Sequence, residues 1–312
     1  MNILITGAFG FVGNNLSKKL RETSKLKLIA VDIIEPTNHI FDDYYSWHEL
    51  EKADWNKIDT IIHLAGKAHD TLKTSTEQDY FKINVGLTRK IFQHFLNSSA
   101  SKFIFFSSVK AVTDTVSGEY LIEFDTPNPL TPYGKSKLEA EQYILDQPLP
   151  PGKKVYILRP CMIHGPGNKG NLNLLYKLAQ KGLPWPLGAF ENSRSFTSIQ
   201  NLLFVIQEFI EKDIEPGIYQ IADDETLSTN ELIHLMADSL NKKTHIWNIS
   251  PSMIKFIAKV GDTLGLPLNS ERLKKLTESY VVSNQKLKKV LGIEKMPYTT
   301  TEGMKNTFDS FL

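Results

Sequence analysis

Three glycines near the start constrain this chain more than any other feature. Asn2-Ile3-Leu4-Ile5-Thr6 is a short apolar run, and Gly7-Ala8-Phe9-Gly10-Phe11-Val12-Gly13 follows it at once. Residues 12–23 then read as a helix. A strand that turns on glycines into a helix is the opening of a phosphate-binding βαβ unit. Gly7 permits the tight turn, Gly10 leaves the backbone bare for a pyrophosphate, and Gly13 lets the helix pack closely. The helix N-terminus then favours a bound anion. The spacing is GxxGxxG rather than GxGxxG, so the place of the glycines between strand and helix carries the inference. The plain alternative is a glycine-rich turn that holds nothing.

A second strand is expected to end on Asp32, in Leu28-Ile29-Ala30-Val31-Asp32. A carboxylate there can accept from adenosine ribose hydroxyls and repel a 2′-phosphate, which favours NAD(H) over NADP(H). No arginine immediately follows it. A strand-end aspartate that only caps a turn is the competing reading. Further strands are expected at 58–64, 102–107 and 154–159, and helices at 74–98 and 131–147. Strands alternating with helices predict a parallel sheet covered on both faces.

Composition narrows the function classes. The 312 residues carry 36 basic and 35 acidic side chains, for a formal net charge of +1, so nothing points to a general nucleic-acid surface. One cysteine, Cys161, leaves no internal disulfide framework and fits a reducing cytosol. No apolar stretch is long enough to span a bilayer. The first residues read directly as a strand, so no signal peptide and a cytoplasmic location are expected.

Chemistry gathers at Pro132-Tyr133-Gly134-Lys135-Ser136-Lys137. Tyr133 and Lys137 stand four residues apart on an expected helix and so share a face. A nearby ammonium favours the phenolate and is expected to lower the tyrosine pKa. A phenol so tuned can act as general base or acid toward a sugar hydroxyl. Phe103-Ile104-Phe105-Phe106 is an apolar run that ends in Ser107 and Ser108. Ligands bind at such carboxyl-terminal strand edges. Ser108 could hydrogen-bond the substrate oxygen on which Tyr133 acts; a loop or cap hydroxyl is the bland alternative.

After Arg159 the chain changes character, with Pro160, Gly165, Pro166, Gly167, Gly170, Gly182, Pro184, Pro186 and Gly188 breaking it into loops. Such loops usually bind ligands when a rigid sheet anchors them. Helices are expected at 174–181, at 228–240 and near the C-terminus. His63, His69 and His164 do not form a compact metal-ligand set, so no metal is expected. His63 reads as a strand-end residue and His164 as a pocket lining. Cys161 reads as a packed thiol. Residues 253–260 are amphipathic, and packing on a substrate domain is expected in preference to a membrane surface.

Seven ordered motifs resemble the extended short-chain dehydrogenase/reductase family, in its nucleotide-sugar epimerase/dehydratase branch. They are TGAFGFVG at 6–13, HLAG at 63–66, INVGLT at 83–88, FFSSVKAV at 105–112, PYGKSKLEAE at 132–141, LRPCMIHGPGNKGN at 158–171 and SRSFTSIQNL at 193–202. The resemblance covers nearly the whole chain. It implies a Rossmann-type doubly wound parallel sheet with a smaller C-terminal substrate-binding domain. The division would be 1–160 for NAD, its sheet completed by later parts of the chain, and 161–312 mainly for a nucleotide sugar.

The resemblance also implies catalytic residues Ser108, Tyr133 and Lys137. Tyrosine would take the proton of a sugar hydroxyl as hydride leaves the same carbon, and lysine would hold the nicotinamide ribose. Cofactor contacts would come from Gly7, Phe9, Gly10, Phe11, Val12, Gly13, Asp32, Leu64, Ala65, Gly66, Asn84, Ser107 and Pro160, besides Tyr133 and Lys137. Substrate contacts would come from Ser108, Lys110, Tyr133, Met162, Asn171 and Arg194. Arg194 matches an arginine that pairs with the substrate diphosphate, a use suited to its planar fork. Residues 185–188, which begin with Trp185, lie where the family packs the nucleotide base. A homodimer through the helices near 80–96 and 132–147 is implied as well.

Two departures bear on the reaction. Met162 stands where galactose-type 4-epimerases often carry asparagine, and Lys110 replaces a small polar residue after the serine. No clear DL or DV pair follows between Asp32 and Ile58, which leaves the adenine contacts open. The simplest expectation is a UDP-glucose/UDP-N-acetylglucosamine 4-epimerase using NAD. The alternative within the family is a 4-ketoreductase of a UDP-4-keto-6-deoxy-N-acetylhexosamine, in surface-polysaccharide synthesis. A 4,6-dehydratase fits less well, because Val109-Lys110 supplies no Asp-Glu pair. A non-catalytic nucleotide-binding regulator on the same fold is the alternative of another class.

Overall fold

The apolar runs of the N-terminal half become neighbouring strands of one parallel sheet. In this computed structural model residues 1–23, 26–68, 75–168, 170–266 and 268–312 are described. The first half contains β1 (Asn2–Thr6), α1 (Phe11–Thr23), β2 (Lys27–Asp32), β3 (Asp43–Ser46), β4 (Thr60–His63), α2 (Glu77–Asn97), β5 (Lys102–Phe106), α3 (Pro132–Leu145) and β6 (Lys154–Pro160). Then come β7 (Met162–His164), α4 (Asn171–Gln180), β8 (Phe196–Ser198), α5 (Ile199–Glu211), β9 (Gly217–Ile221) and α6 (Thr229–Ser239). The chain closes with α7 (Pro251–Leu264), α8 (Ser270–Thr277), α9 (Gln285–Leu291) and α10 (Thr300–Asp309).

The main sheet has seven strands in the order β3-β2-β1-β4-β5-β6-β9, all paired in parallel. This is the expected Rossmann-type α/β sheet. Helices cover both faces, which is why its strands are continuous apolar runs. One face buries Leu16, Leu202, Val205, Ile206 and Phe209 from α1 and α5. The other buries Val85, Ile91, Phe92 and Phe95 from α2, with Ala140 and Ile144 from α3. Strand order reverses around β1 and β4, so the loops after β1, β4 and β5 open on one crevice.

A second core lies beyond β6, where Leu172, Tyr176, Trp185, Phe196, Leu232, Met236, Ile254 and Phe308 pack together. The two-stranded parallel ribbon β7–β8 borders it. Helix α7, which holds the amphipathic stretch, buries Ile254 and Ala258 and leaves Met253, Phe256 and Ile257 exposed. Among the described residues no helix is long and apolar enough to cross a membrane.

Several elements go beyond the sequence expectation. β3, β7, β8, β9 and α5 were not anticipated. β7 and β8 have three residues each, too few to show a period. β9 enters the main sheet beside β6 from far along the chain. α5 starts on Ser198, whose hydroxyl accepts from the Asn201 amide at 3.3 Å. Helix α2 begins later than the expected residue 74, which lies outside the described residues. Thr76 caps it, accepting from Asp79 N at 3.3 Å while Asp79 accepts from Thr76 N at 2.8 Å.

Candidate active site

The turn after β1 has the shape that its glycines require. Gly7 adopts φ +67°, and a Cβ there would lie 2.8 Å from the Ala65 amide nitrogen. A Cβ on Gly13 would meet the carbonyl oxygens of Ala8 and Gly7 at 2.4 and 2.5 Å, so only glycine lets α1 start this close to the turn. The Gly7 amide donates to Val31 O at 2.9 Å, tying the turn to β2. Phe11 and Val12 open α1, and the Phe9 amide reaches Asp32 at the end of β2.

Asp32 stands at that strand end, as expected. Its Oδ2 accepts from the Phe9 amide at 2.9 Å and its Oδ1 from the Ile33 amide at 2.8 Å. Each oxygen keeps a lone pair for a ribose hydroxyl. Beside Asp32, where the sequence left the adenine contacts open, lies an aromatic cluster. The Phe9 ring centroid is 5.6 Å from His39, 5.5 Å from Phe41 and 6.0 Å from Tyr44. A glycine turn at a helix N-terminus, with a carboxylate and aromatic rings beyond it, fits a dinucleotide.

The loop Leu64-Ala65-Gly66 forms the opposite wall. The Leu64 amide donates to Thr6 O at 3.1 Å, and the Ala65 amide to Thr6 Oγ1 at 3.2 Å. Asn84 braces this loop from below. Its Oδ1 accepts from Lys67 N at 2.7 Å, and its Nδ2 donates to Lys67 O at 3.1 Å and Ser136 Oγ at 2.9 Å. The amide implied beside the cofactor is thus committed to protein partners, and it acts on the crevice through the loop. His63 is buried between Thr6 Oγ1 at 2.6 Å and Thr88 Oγ1 at 2.9 Å. Burial holds its pKa well below the usual value, so it is neutral.

The three expected catalytic residues meet at the ends of β5 and α3. Thr131 caps α3, accepting from Gly134 N at 3.2 Å, and Pro132 takes the first helical position. A Cβ on Gly134 would stand 2.4 Å from Lys110 O. Glycine beside Tyr133 therefore lets the helix press on the short 3-10 turn Val109–Ala111, which Ser108 caps. Ser108 Oγ accepts from Lys110 N at 3.2 Å. Lys137 is buried, donates to Phe106 O at 2.7 Å, and lies 5.0 Å from the Phe105 ring centroid.

Electrostatics correct one expectation. The Tyr133 phenol is raised above its ordinary pKa, not lowered. Burial is the main cause and outweighs a hydrogen bond with Ser108 that pulls the other way. The Lys137 ammonium is directed at the Phe106 carbonyl instead. Burial also lowers Lys137, to about 8, against the attraction of Glu141.

Sequence reasoning missed the group behind these residues. Glu141 is 1% exposed and Arg159 2%. Arg159 Nε donates to Glu141 Oε1 at 2.9 Å, and Nη2 donates to Oε2. The Ser107 hydroxyl also donates to Glu141 Oε1. Ser107, implied as a cofactor contact, therefore turns its side chain inward. Its amide donates to Leu158 O at 2.8 Å, joining β5 to β6 beside Pro160. The signal was present: Tyr133, Lys137 and Glu141 follow at four-residue steps on one helix face.

The expected substrate residues divide. Lys110 Nζ lies over the Tyr280 ring, while Arg194 is a backbone bridge partner of Tyr280 and its guanidinium donates to Lys275 O. Met162 begins β7, partly buried against the second core. Asn171 begins α4, and its side chain lies outside the described structure, as does residue His69. Trp185 is 6% exposed, and its indole N–H donates to Asn230 Oδ1 at 3.1 Å, so it packs the second core. His164 does not line a pocket. It is fully buried, with Nδ1 2.8 Å from Thr307 Oγ1, because β7 runs beneath α10. Cys161 is buried, and burial pushes its thiol pKa up.

Comparison with known proteins agrees with this architecture. Residues 3–222 match the family described as the NAD dependent epimerase/dehydratase family. The chain is 31% identical to the UDP-glucose 4-epimerase of Vibrio cholerae, over 100% of this chain and 95% of that protein. It is 27% identical to the N-acetyl-alpha-D-glucosaminyl-diphospho-ditrans,octacis-undecaprenol 4-epimerase of Escherichia coli O157:H7, over 98% of this chain and 94% of that one. Its fold matches that of the UDP-glucuronic acid 4-epimerase of Bacillus cereus, solved with NAD. There the TM-score is 0.73 at 21% identity, covering 99% of this chain and 98% of that one.

Proposed function

The chain belongs to the NAD dependent epimerase/dehydratase family, and from that membership we propose that it acts at C4 of a UDP-linked hexose or N-acetylhexosamine as a 4-epimerase. The observation that carries this reading is that Ser108 hydrogen-bonds the Tyr133 phenol while Lys137, one turn on, donates to Phe106 O at the carboxyl end of β5. NAD, when bound, would accept a hydride from C4 and return it.

The chain's own residues would do the rest. The glycine turn and the α1 N-terminus would hold the diphosphate of the dinucleotide, and Asp32 its adenosine ribose. Tyr133 would take the proton of the C4 hydroxyl as the bond to oxygen becomes a carbonyl, and would give it back when the hydroxyl re-forms. Ser108, hydrogen-bonded to that phenol, would hold the same oxygen. Lys137 would place a positive charge beside the phenol once a ribose hydroxyl draws the ammonium from the Phe106 carbonyl. The Glu141–Arg159 pair would keep α3, β5 and β6 in register.

Purified protein with NAD+ and either UDP-glucose or UDP-N-acetylglucosamine, followed by proton NMR, tests the reading. A new anomeric signal of the C4 epimer, with no net change in cofactor, is expected. No conversion by protein that binds NADH would reject it. Lys110 and Met162 favour a second reading, reduction of a UDP-4-keto-6-deoxy-N-acetylhexosamine, in which Tyr133 serves only as acid. NADH consumption with that ketone would support it. A homodimer through α2 and α3 and a cytoplasmic location belong to the same proposal, and sedimentation checks the first.

A further inference from the structure

Helix α7 carries two apolar stripes, and the fold covers one of them. Ile254 and Ala258 pack in the second core, and at Gly261 an added Cβ would stand 1.9 Å from Leu268 O. These three residues mark the covered stripe. Met253, Phe256, Ile257, Val260 and Leu264 also recur at three- and four-residue steps. They lie about 100° round the helix from the first stripe. Phe256 and Leu264 are each 67% exposed, Met253 and Ile257 are exposed, and Val260 is half-buried. Lys255 and Lys259, one turn apart and both exposed, hold the remaining side. Among the described residues neither lysine forms an ion pair.

Charge gathers around this helix. Between 242 and 278 stand seven basic and three acidic residues, a net of +4, while the rest of the chain holds 29 basic and 32 acidic. The near-neutral total thus conceals a positive segment. Its three carboxylates are engaged away from Lys255 and Lys259. Glu271 pairs with Lys275 at 2.6 Å and Glu278 with Lys274 at 3.8 Å. Asp262 accepts from Ser270 N at 2.9 Å and from the Ser270 hydroxyl at 2.5 Å. Trp247, three residues before the Ser250 cap, is 55% exposed, whereas Trp47, Trp55 and Trp185 are buried or half-buried. Indole rings favour the boundary between water and apolar matter. An apolar stripe flanked by lysines, with an indole near its start, has the chemistry of a helix lying in the plane of an anionic bilayer surface.

We propose that the uncovered stripe of α7 docks on an anionic phospholipid surface, with Phe256 and Leu264 in the apolar boundary and Lys255 and Lys259 against the headgroups. A second copy of the chain is the competing occupant, and charge disfavours it. In a two-fold interface a patch meets its own image. Lys255 and Lys259 would then oppose the same lysines, while the carboxylates of the segment are engaged elsewhere. Area disfavours it as well. A helix of 14 residues is about 21 Å long and about 10 Å across, so one face offers about 200 Å². A stable protein interface takes about 800 Å² from each partner. On a bilayer, apolar burial and headgroup attraction add along the helix without that threshold. Docking by α7 bears on the second core, and it fixes where the enzyme works rather than which reaction it performs. The assignment therefore does not rest on the reading of the reaction.

Sedimentation of the full chain with vesicles tests the assignment. One set is phosphatidylcholine with phosphatidylglycerol, and the other is phosphatidylcholine alone. The protein should pellet with the anionic set, and binding should fall as salt rises. Trp247 emission should shift to the blue on those vesicles, and Trp247→Phe should lose the shift. Lys255→Glu with Lys259→Glu should weaken partitioning about tenfold or more, and Phe256→Ser with Ile257→Ser by a similar factor. NAD binding should persist in both double variants, since all four side chains are exposed. The lysine pair carries the test if the serine pair does not fold. Wild-type protein that stays in solution beside anionic vesicles overturns the proposal. Binding that both double variants retain, or that is equal on phosphatidylcholine alone, overturns it too. If Phe256→Ser with Ile257→Ser lowers the oligomeric state without lipid, the stripe belongs to a second copy and the proposal fails.

Discussion

The two halves of the crevice hold their charges in opposite ways. Behind the candidate catalytic residues, Glu141 and Arg159 are buried together, and Ser107 adds a third bond to the carboxylate. Across the crevice, Lys110 rests on the Asp114 carbonyl and the Tyr280 ring and Arg194 on the Lys275 carbonyl, with the Glu278 charge acting on both and no ion pair among the described residues. The first arrangement pairs opposite charges within the chain and suits a scaffold, although Arg159 Nη1 is buried with no hydrogen-bond partner among the described residues. A buried charge whose partner lies in the fold is costly to separate from it, which ties the elements that carry the two.

The largest effect should come from the chemistry that the scaffold supports. Tyr133→Phe should lower kcat by about 10²–10⁴-fold, the usual contribution of a positioned acid or base. NADH binding, followed by fluorescence, should persist. Loss of both together would mean that the phenol is structural.

The complete pair breaks next. Glu141→Ala leaves the Arg159 guanidinium buried without its partner and should cost about 3–5 kcal/mol of stability. Replacing both by apolar residues, Glu141→Met with Arg159→Leu, should recover most of this in denaturant unfolding. If the single change is harmless, the pair is not the clamp that separates the two halves.

Gly13→Ala tests the cradle by geometry alone. Its methyl would stand 2.4 Å from Ala8 O, and overpacking of this kind costs about 1–3 kcal/mol. Weaker NAD binding should accompany the lower melting temperature.

The smallest effect is in pH. Burial holds Lys137 at about 8, below its ordinary 10.5, so it is charged below about 8 and neutral above. Activity that needs the ammonium should fall as pH rises through about 8, and Lys137→Arg should remove that limb from the kcat/KM profile. The sign is reversed for stability. Between about 8 and 10.5 the unfolded chain binds more protons at this lysine, so its contribution to folding improves as pH rises. A profile flat across this range would place Lys137 in a wetter site than the scaffold gives it.

Much of the scaffold could be read without coordinates. The glycine turn, Asp32 and the Tyr133–Lys137 spacing are local, because a turn needs its own residue types and a helix repeats every few residues. The short strands β7 and β8 carry no such period, and β9 earns its place only by pairing with β6. Helix α5 lies in the breaker-rich half, where loops dominated the reading, yet its buried residues Leu202, Val205, Ile206 and Phe209 cover the sheet.

The sequence by itself carried the family, through motifs ordered along the chain, and it named the glycine cradle and the three candidate catalytic side chains, because each motif is a local pattern of residue types. Tertiary structure alone decided that burial raises the Tyr133 phenol, that Glu141 meets Arg159, and that Lys110 rests on the Tyr280 ring. Desolvation and the meeting of distant charges are properties of packing, and no local spacing encodes them.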